Sequence, residues 1–282
     1  MRIPAKNFSL SETLECGQAF NYSLDEKNGF YFAVHNGSVI RIKQEGKHLE
    51  FQTFPKNDNI QLVRNYFNLQ EKHALPKVKP ASKTKKTNKK ILRLLKTCNG
   101  LRIINQEPFE CLISYILSQQ SSIPRIRKNV FELSEHFGKE LSFEGRCFYS
   151  FPTPEALANA ELSDLKKFRI GYRDKYVLEA AKKIANGFNL EKLCKMPYEK
   201  AKEELLQFNG VGEKVADCVL LFSLGFTEAF PIDTWIRKIM LRLFFKNKKV
   251  SDRKIMEFAK KEFGKSAGFV QQCLYARRKE LV

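Results

Sequence analysis

The order of apolar and polar positions changes character once along the chain. In FYFAVHNGSVIRIKQEGKHLEF, which starts at Phe30, short aromatic and β-branched runs are cut by Asn36-Gly37 and by Glu45-Gly46-Lys47. Asn-Gly adopts the positive-φ backbone of a two-residue hairpin, and β-formers on either side make the flanks strands. Asn28-Gly29 turns the chain just before this stretch. The pattern predicts a small antiparallel β domain over residues 1–75. Beyond residue 100 the spacing reads as helical throughout. In EPFECLISYILSQQ, Phe109, Leu112, Ile113, Ile116 and Leu117 fall on one helix face. TWIRKIMLRLFF does the same with Ile236, Ile239, Met240, Leu243 and Phe244. The fold class is therefore α+β: the β domain, a basic linker or helix over 76–99, and a helical domain over 100–282. No repeat of solenoid period is present.

Charge narrows the partner. The chain carries 50 Lys+Arg against 31 Asp+Glu, a formal charge of +19 over 282 residues. Such an excess favours a polyanion, and nucleic acid is the commonest. Residues 77–96 hold nine Lys or Arg and no acid, which reads either as a solvated linker or as a contact to the DNA backbone. No apolar run has the length of a membrane span, and the N-terminal MRIPAKNFSL lacks the apolar core of a signal peptide.

Seven cysteines without a C-x-x-C pair suit reduced thiols, in a cytosolic or nuclear setting. The four histidines make no ligand-spaced pair, so neither zinc nor an iron–sulfur cluster is expected.

The chemistry is concentrated in FNGVGEKVADCVLLF, residues 208–222, and PIDTW, residues 231–235. EKAKEELLQ reads as a helix, FNGVG as a turn, and EKVADCVLLFSL as a second helix. Gly210 and Gly212 permit backbone shapes and close approaches that a side chain would forbid. The second helix then offers free N–H groups at its N-terminus, where a DNA phosphate fits. Lys214 lies in that first turn, near the positive end of the helix dipole, which favours the neutral, nucleophilic amine. It reads equally well, locally, as a phosphate-binding lysine. Asp233 precedes an amphipathic helix and fits an N-cap. A carboxylate beside an amine is also the minimum set for attack on a sugar C1′.

Motifs spread along the chain carry a family resemblance: LECGQAFNY (14–22), VRNYFNL (63–69), INQEPFECLISYILS (104–118), IPRI (123–126), IGYRDKYV (170–177) and GVGEKVADC (210–218). In order and spacing the chain resembles the helix-hairpin-helix DNA glycosylases, and among them the 8-oxoguanine DNA glycosylase/AP lyases. The resemblance implies a bifunctional enzyme of base excision repair. Lys214 is the implied Schiff-base nucleophile and Asp233 the implied catalytic carboxylate. Gly17 would accept a hydrogen bond from N7–H of 8-oxoguanine, a donor that guanine lacks. Gln271 would meet the base edge, Tyr275 would stack on one base face, and Cys218 would lie on the other. Gln120, Arg125, Tyr172 and Arg173 would contact DNA around the vacated position, with Gly210 and Gly212 at the phosphate.

The backbone carbonyls of Leu206, Phe208 and Val211 would hold a structural monovalent cation, K⁺ or Na⁺; no other cofactor is implied. The partner would be duplex DNA containing oxidised guanine, bound by a monomer that is nucleoid-associated in a prokaryotic cytoplasm or nuclear in a eukaryote. Three positions depart from the family's animal members: Gln120 replaces an asparagine, Trp235 a histidine and Tyr275 a phenylalanine. A monofunctional alkylpurine glycosylase that uses water, a non-catalytic helix-hairpin-helix module and a membrane-surface basic protein remain as alternatives.

The lysine run makes a measurable prediction. Replacing several of its lysines with glutamine flattens the plot of log affinity against log salt, by about 0.9 for each phosphate that is no longer neutralised. An unchanged slope identifies the run as a solvated linker.

Overall fold

The structure, a computed structural model, describes residues 1–69 and 92–282. Most of the 77–96 basic run therefore lies outside the described residues. The first part holds β1 (Arg2–Pro4), α1 (Leu10–Glu15), β2 (Tyr22–Asp25), β3 (Phe30–His35), β4 (Ser38–Glu45), β5 (His48–Phe54) and α2 (Ile60–Tyr66). The strands form one antiparallel sheet in the order β1-β5-β4-β3-β2. Asn36 and Gly37 both take positive φ between β3 and β4, as a two-residue hairpin requires. Ile40, Ile42, Leu49 and Phe51 point inward and form a core with Leu10 and Leu14 of α1 and Val63 of α2.

The remainder holds a helical stretch over 92–97 (α3), α4 (Pro108–Leu117), α5 (Ile123–Phe137), β6 (Glu140–Phe143), β7 (Arg146–Tyr149), α6 (Pro154–Ala158), α7 (Leu162–Lys166), α8 (Arg173–Ala185), α9 (Tyr198–Leu206) and α10 (Glu213–Phe222). It ends with α11 (Thr234–Phe244), α12 (Asp252–Phe263), α13 (Ala267–Ala276) and α14 (Arg278–Leu281).

Two expectations need correction. The region after residue 100 is not helical throughout, because β6 and β7 form a hairpin around Glu144-Gly145, both at positive φ. Its aromatics cover the outer face of the sheet: Phe148 stacks on Phe32 at 5.2 Å and Phe143 lies 5.8 Å from Phe54. Every residue of β3 is consequently buried. Nor does α4 bury only one face. Phe109 through Leu117 are all buried, including Glu110, Ser114 and Tyr115. An all-round buried helix sits at the centre of its domain, and α4 packs on α5, α8 and α10.

The junction near residue 100 is continuous packing. Gln18 is fully buried; its Nε2 donates to the carbonyl of Arg102 at 2.7 Å, and its Oε1 accepts from the N–H of Ile104 at 3.1 Å. Leu95, Cys98 and Leu101 join Cys16, Ile236, Ile239 and Met240 in a further core. These contacts tie α1 and the segment after it to α11 and α13, and so set the position of Gly17.

Glu110, one turn into α4, has its carboxyl pushed up to about 8, by burial first and by neighbouring Glu107 second. A raised carboxyl favours the folded chain while protonated, and that contribution is lost as pH rises through about 8. Glu110→Gln should therefore match the wild-type melting temperature best at about pH 4, exceed it increasingly as pH rises from about 5 to about 8, and level off above that. A difference that stays constant across that range, followed by thermal denaturation, would refute the assignment.

Candidate active site

The site is built on one hairpin of helices. α9 ends at Leu206, the turn runs through Gly210, and α10 starts after Gly212. A charge cluster clamps the pair: buried Lys202 lies 3.1 Å from buried Asp217 and also contacts the exposed Glu213, while the Tyr198 hydroxyl donates to Asp217 at 2.6 Å. The two glycines serve different ends. Gly210 has φ +79, and a Cβ there would sit 2.3 Å from the Tyr176 ring. Packing and backbone both demand it. A Cβ on Gly212 would touch nothing within 4 Å, and its φ of −97 is ordinary. Gly212 caps α10 without any side-chain hydrogen bond. The first N–H groups of α10 are thus uncapped, and a small cap lets an anion approach them.

Lys214 occupies the first turn of α10 and is half-buried. Its Nζ donates to Ser118 Oγ at 2.9 Å and lies 4.9 Å from the centroid of the Tyr115 ring. Ser118 is the C-cap of α4. The amine therefore sits between the positive end of its own helix and the negative end of α4, which act on its charge with opposite sign. Asp233 is the N-cap of α11, with Oδ1 accepting from the N–H of Ile236 at 2.7 Å. Among the described residues its Oδ2 takes no hydrogen bond or ion pair.

Lys214 and Asp233 line the same open cleft of about 900 Å³, together with Gly17, Gln120, Arg125, Cys218, Gln271 and Tyr275. Arg125, Arg237, Arg278 and Lys279 also line it, and Asp233 is its sole carboxylate among the described residues. The cleft is suited to a negatively charged ligand.

Gly17, Cys218, Gln271 and Tyr275 share one part of the lining. Gly17 has φ +86, and a Cβ there would lie 2.9 Å from Ile123 and 3.0 Å from the Tyr275 ring. Neighbouring Cys16 is held by Gln272, whose Nε2 lies 2.9 Å from its Sγ. Gln271 is buried; its Nε2 donates to the Pro231 carbonyl at 3.2 Å, and its Oε1 is buried without a partner. A buried acceptor left unpaired is costly unless a ligand supplies the donor. Burial pushes the Cys218 thiol up to about 12 against the opposing charge of Lys214, so it stays protonated. Burial likewise lifts the Tyr275 hydroxyl to about 12, with Arg278 opposing from 4.2 Å over the ring.

The predicted DNA contacts divide. Gln120 and Arg125 are exposed at the cleft, Gln120 with φ +46 and Arg125 donating to the Arg169 carbonyl at 2.7 Å. Tyr172 stands out at 47% exposure at the start of α8. Arg173 is buried and its guanidinium is spent on backbone carbonyls, those of Ile170, Gln119 and Gln120. In the free protein it fixes the loop that carries Gln120 and does not itself face solvent. Gln119 completes that brace by donating to the Gly210 carbonyl at 2.9 Å. Sequence reasoning missed Ser118, Tyr115 and Gln119; all three read as part of an amphipathic helix, and nothing local marks them as neighbours of Lys214 or Gly210.

Residues 1–112 match the 8-oxoguanine DNA glycosylase N-terminal domain, and residues 113–265 match the HhH-GPD superfamily base excision DNA repair protein family. The chain is 35% identical over 217 residues to a probable N-glycosylase/DNA lyase of Methanothermobacter thermautotrophicus, covering 69% of each chain. It is 31% identical over 269 residues to the N-glycosylase/DNA lyase of Saccharomyces cerevisiae, covering 86% of this chain and 70% of the yeast protein. The Clostridium acetobutylicum 8-oxoguanine glycosylase/lyase, solved with double-stranded DNA containing cytosine opposite 8-oxoguanine, superposes with a TM-score of 0.84 at 31% identity, over 99% of this chain and 98% of that one. On fold and on sequence, the chain belongs to the HhH-GPD superfamily of base excision DNA repair proteins, in its 8-oxoguanine DNA glycosylase/AP lyase branch.

Proposed function

We propose that the protein binds duplex DNA, extrudes 8-oxoguanine and excises it as a bifunctional glycosylase/AP lyase. The observation that carries this reading is that the Lys214 amine and the Asp233 carboxylate line one open cleft of about 900 Å³ together with Gly17, Cys218, Gln271 and Tyr275. The uncapped start of α10 receives a backbone phosphate. Exposed Tyr172 wedges into the stack, offsetting part of the few kcal/mol that flipping costs. The flipped base enters between Cys218 and Tyr275. The Gly17 carbonyl accepts from N7–H, and the unpaired Gln271 Oε1 accepts from the ring edge. Guanine brings no donor at N7 and leaves the Gly17 acceptor unsatisfied.

Neutral Lys214 attacks C1′; the Nζ–C1′ bond forms as the glycosidic bond breaks, and its electron pair leaves with the base. The Asp233 carboxylate stabilises the positive charge that develops on the sugar. The adduct opens to an imine, a C2′ proton is removed, and the C3′–O bond breaks to release the 3′ phosphate. Protonated Cys218 is no nucleophile. A structural monovalent cation also fits. The Leu206 carbonyl belongs to the last turn of α9, where intrahelical donors run out. Phe208 O accepts from Val211 N at 3.0 Å and keeps a second lone pair. Among the described residues no three His, Cys, Asp or Glu cluster as ligands. A carbonyl-only set including Val211 suits a hard cation of low charge, which would add positive charge beside the phosphate. The enzyme works as a monomer.

Borohydride trapping on a duplex with one 8-oxoguanine tests the reading. Wild type yields a covalent adduct and Lys214→Gln yields none. Base release without trapping would instead favour a glycosylase that uses water.

Asp233→Asn separates catalysis from capping. Asparagine caps a helix as well as aspartate, so the melting temperature holds while single-turnover excision falls by roughly 100-fold or more. Equal losses of stability and rate would leave Asp233 as a cap alone.

A further inference from the structure

Ser118 has no role in the reaction as described so far, yet its hydroxyl accepts a hydrogen bond from the Lys214 amine at 2.9 Å. The direction of that contact is fixed. Ser118 Oγ donates its own proton to the Tyr115 carbonyl at 2.7 Å, so toward Lys214 it can only accept. The Tyr115 ring is a second acceptor surface, with Nζ 4.9 Å from its centroid. The ring cannot swing away: Tyr115 is buried, its hydroxyl donates to the Gln18 carbonyl at 3.3 Å, and it stacks on Phe222 at 5.6 Å. The end of α4 therefore supplies two acceptor surfaces to the ammonium, and the protonated Cys218 thiol lies beside it on its own helix.

We infer that Ser118 is a positioning residue that aims the Lys214 lone pair at the sugar. An ammonium whose other two N–H bonds have acceptors loses the third proton, the one directed toward the cleft. The lone pair appears in that direction while an N–H remains on Ser118 Oγ. Without the hydroxyl the neutral amine turns about its terminal C–N bond, and the fraction of near-attack geometries falls. The cap position reinforces this: Ser118 is bound to the last turn of the fully buried α4, so the acceptor is as rigid as the domain core. The inference rests on Lys214 being the imine-forming residue.

The test uses a duplex with a preformed aldehydic abasic site. There the amine adds to C1′, water leaves, and the imine is reduced by borohydride whatever base the enzyme prefers. Failure of wild type to trap on this duplex sinks the nucleophile itself. Trapping here with none on 8-oxoguanine sinks only the base assignment. Given wild-type trapping, Ser118→Ala should slow it roughly tenfold and move the midpoint of its pH–rate profile to lower pH, because an acceptor of the ammonium has gone. Affinity for a duplex carrying a tetrahydrofuran site, which cannot form an imine, should stay within about twofold of wild type. Ser118→Thr, which keeps the hydroxyl, should restore both rate and profile. Wild-type trapping and profile in Ser118→Ala would overturn the inference. So would equal losses in the alanine and threonine variants, or a fall in tetrahydrofuran-duplex affinity that matches the loss of rate, since these mark a packing role.

Discussion

The total burial of α4 is the constraint on which the rest depends. A ten-residue helix with every residue from Phe109 to Leu117 out of water can be placed in few ways. α5, α8 and α10 pack around it, and its C-terminal end delivers Tyr115 and Ser118 to the Lys214 amine. The loop that follows carries Gln119 to the carbonyl of Gly210 and Gln120 to the mouth of the cleft. One rigid element thus sets the Lys214 amine, the hairpin turn and the loop that carries Gln120 relative to each other. Rigid support of this kind is how a site keeps its geometry to fractions of an ångström.

Charge is arranged with the same economy. The chain is strongly basic overall, yet the groups nearest the chemistry are few and unalike: one amine, one carboxylate, a protonated thiol and an unpaired amide oxygen. The long-range field gathers DNA. In the proposed reaction, selection among bases falls to neutral hydrogen-bonding groups, the Gly17 carbonyl and the Gln271 amide, where an unmatched partner is penalised.

Much of this was legible because some residues have local reasons to be what they are. Asp233 announced itself as a cap before a helix, and it is one. The turn from Phe208 to Gly212 was legible as a turn, but its glycines were read as one device when they are two: Gly210 yields to the Tyr176 ring, and Gly212 leaves open space. Tyr176 lies more than thirty positions away, and no local pattern carries such a contact. The same limit hid Ser118. It also gave Arg173 an outward role, whereas the fold turns its guanidinium inward onto backbone carbonyls. The hairpin at β6 and β7 was missed because its strands are only four residues each, too short for alternation to stand out against helical neighbours.

That hairpin bears on how the chain must be made. Phe30, Phe32 and Val34 of β3 take much of their cover from residues 140–149. While the ribosome extends the chain from the N-terminus, the sheet can pair its strands long before that cover exists. Until about half of the 282 residues have emerged, it presents a wet aromatic face, the kind of surface that chaperones engage and that aggregates when left alone. A chain stopped before that hairpin holds a paired sheet with one face partly uncovered.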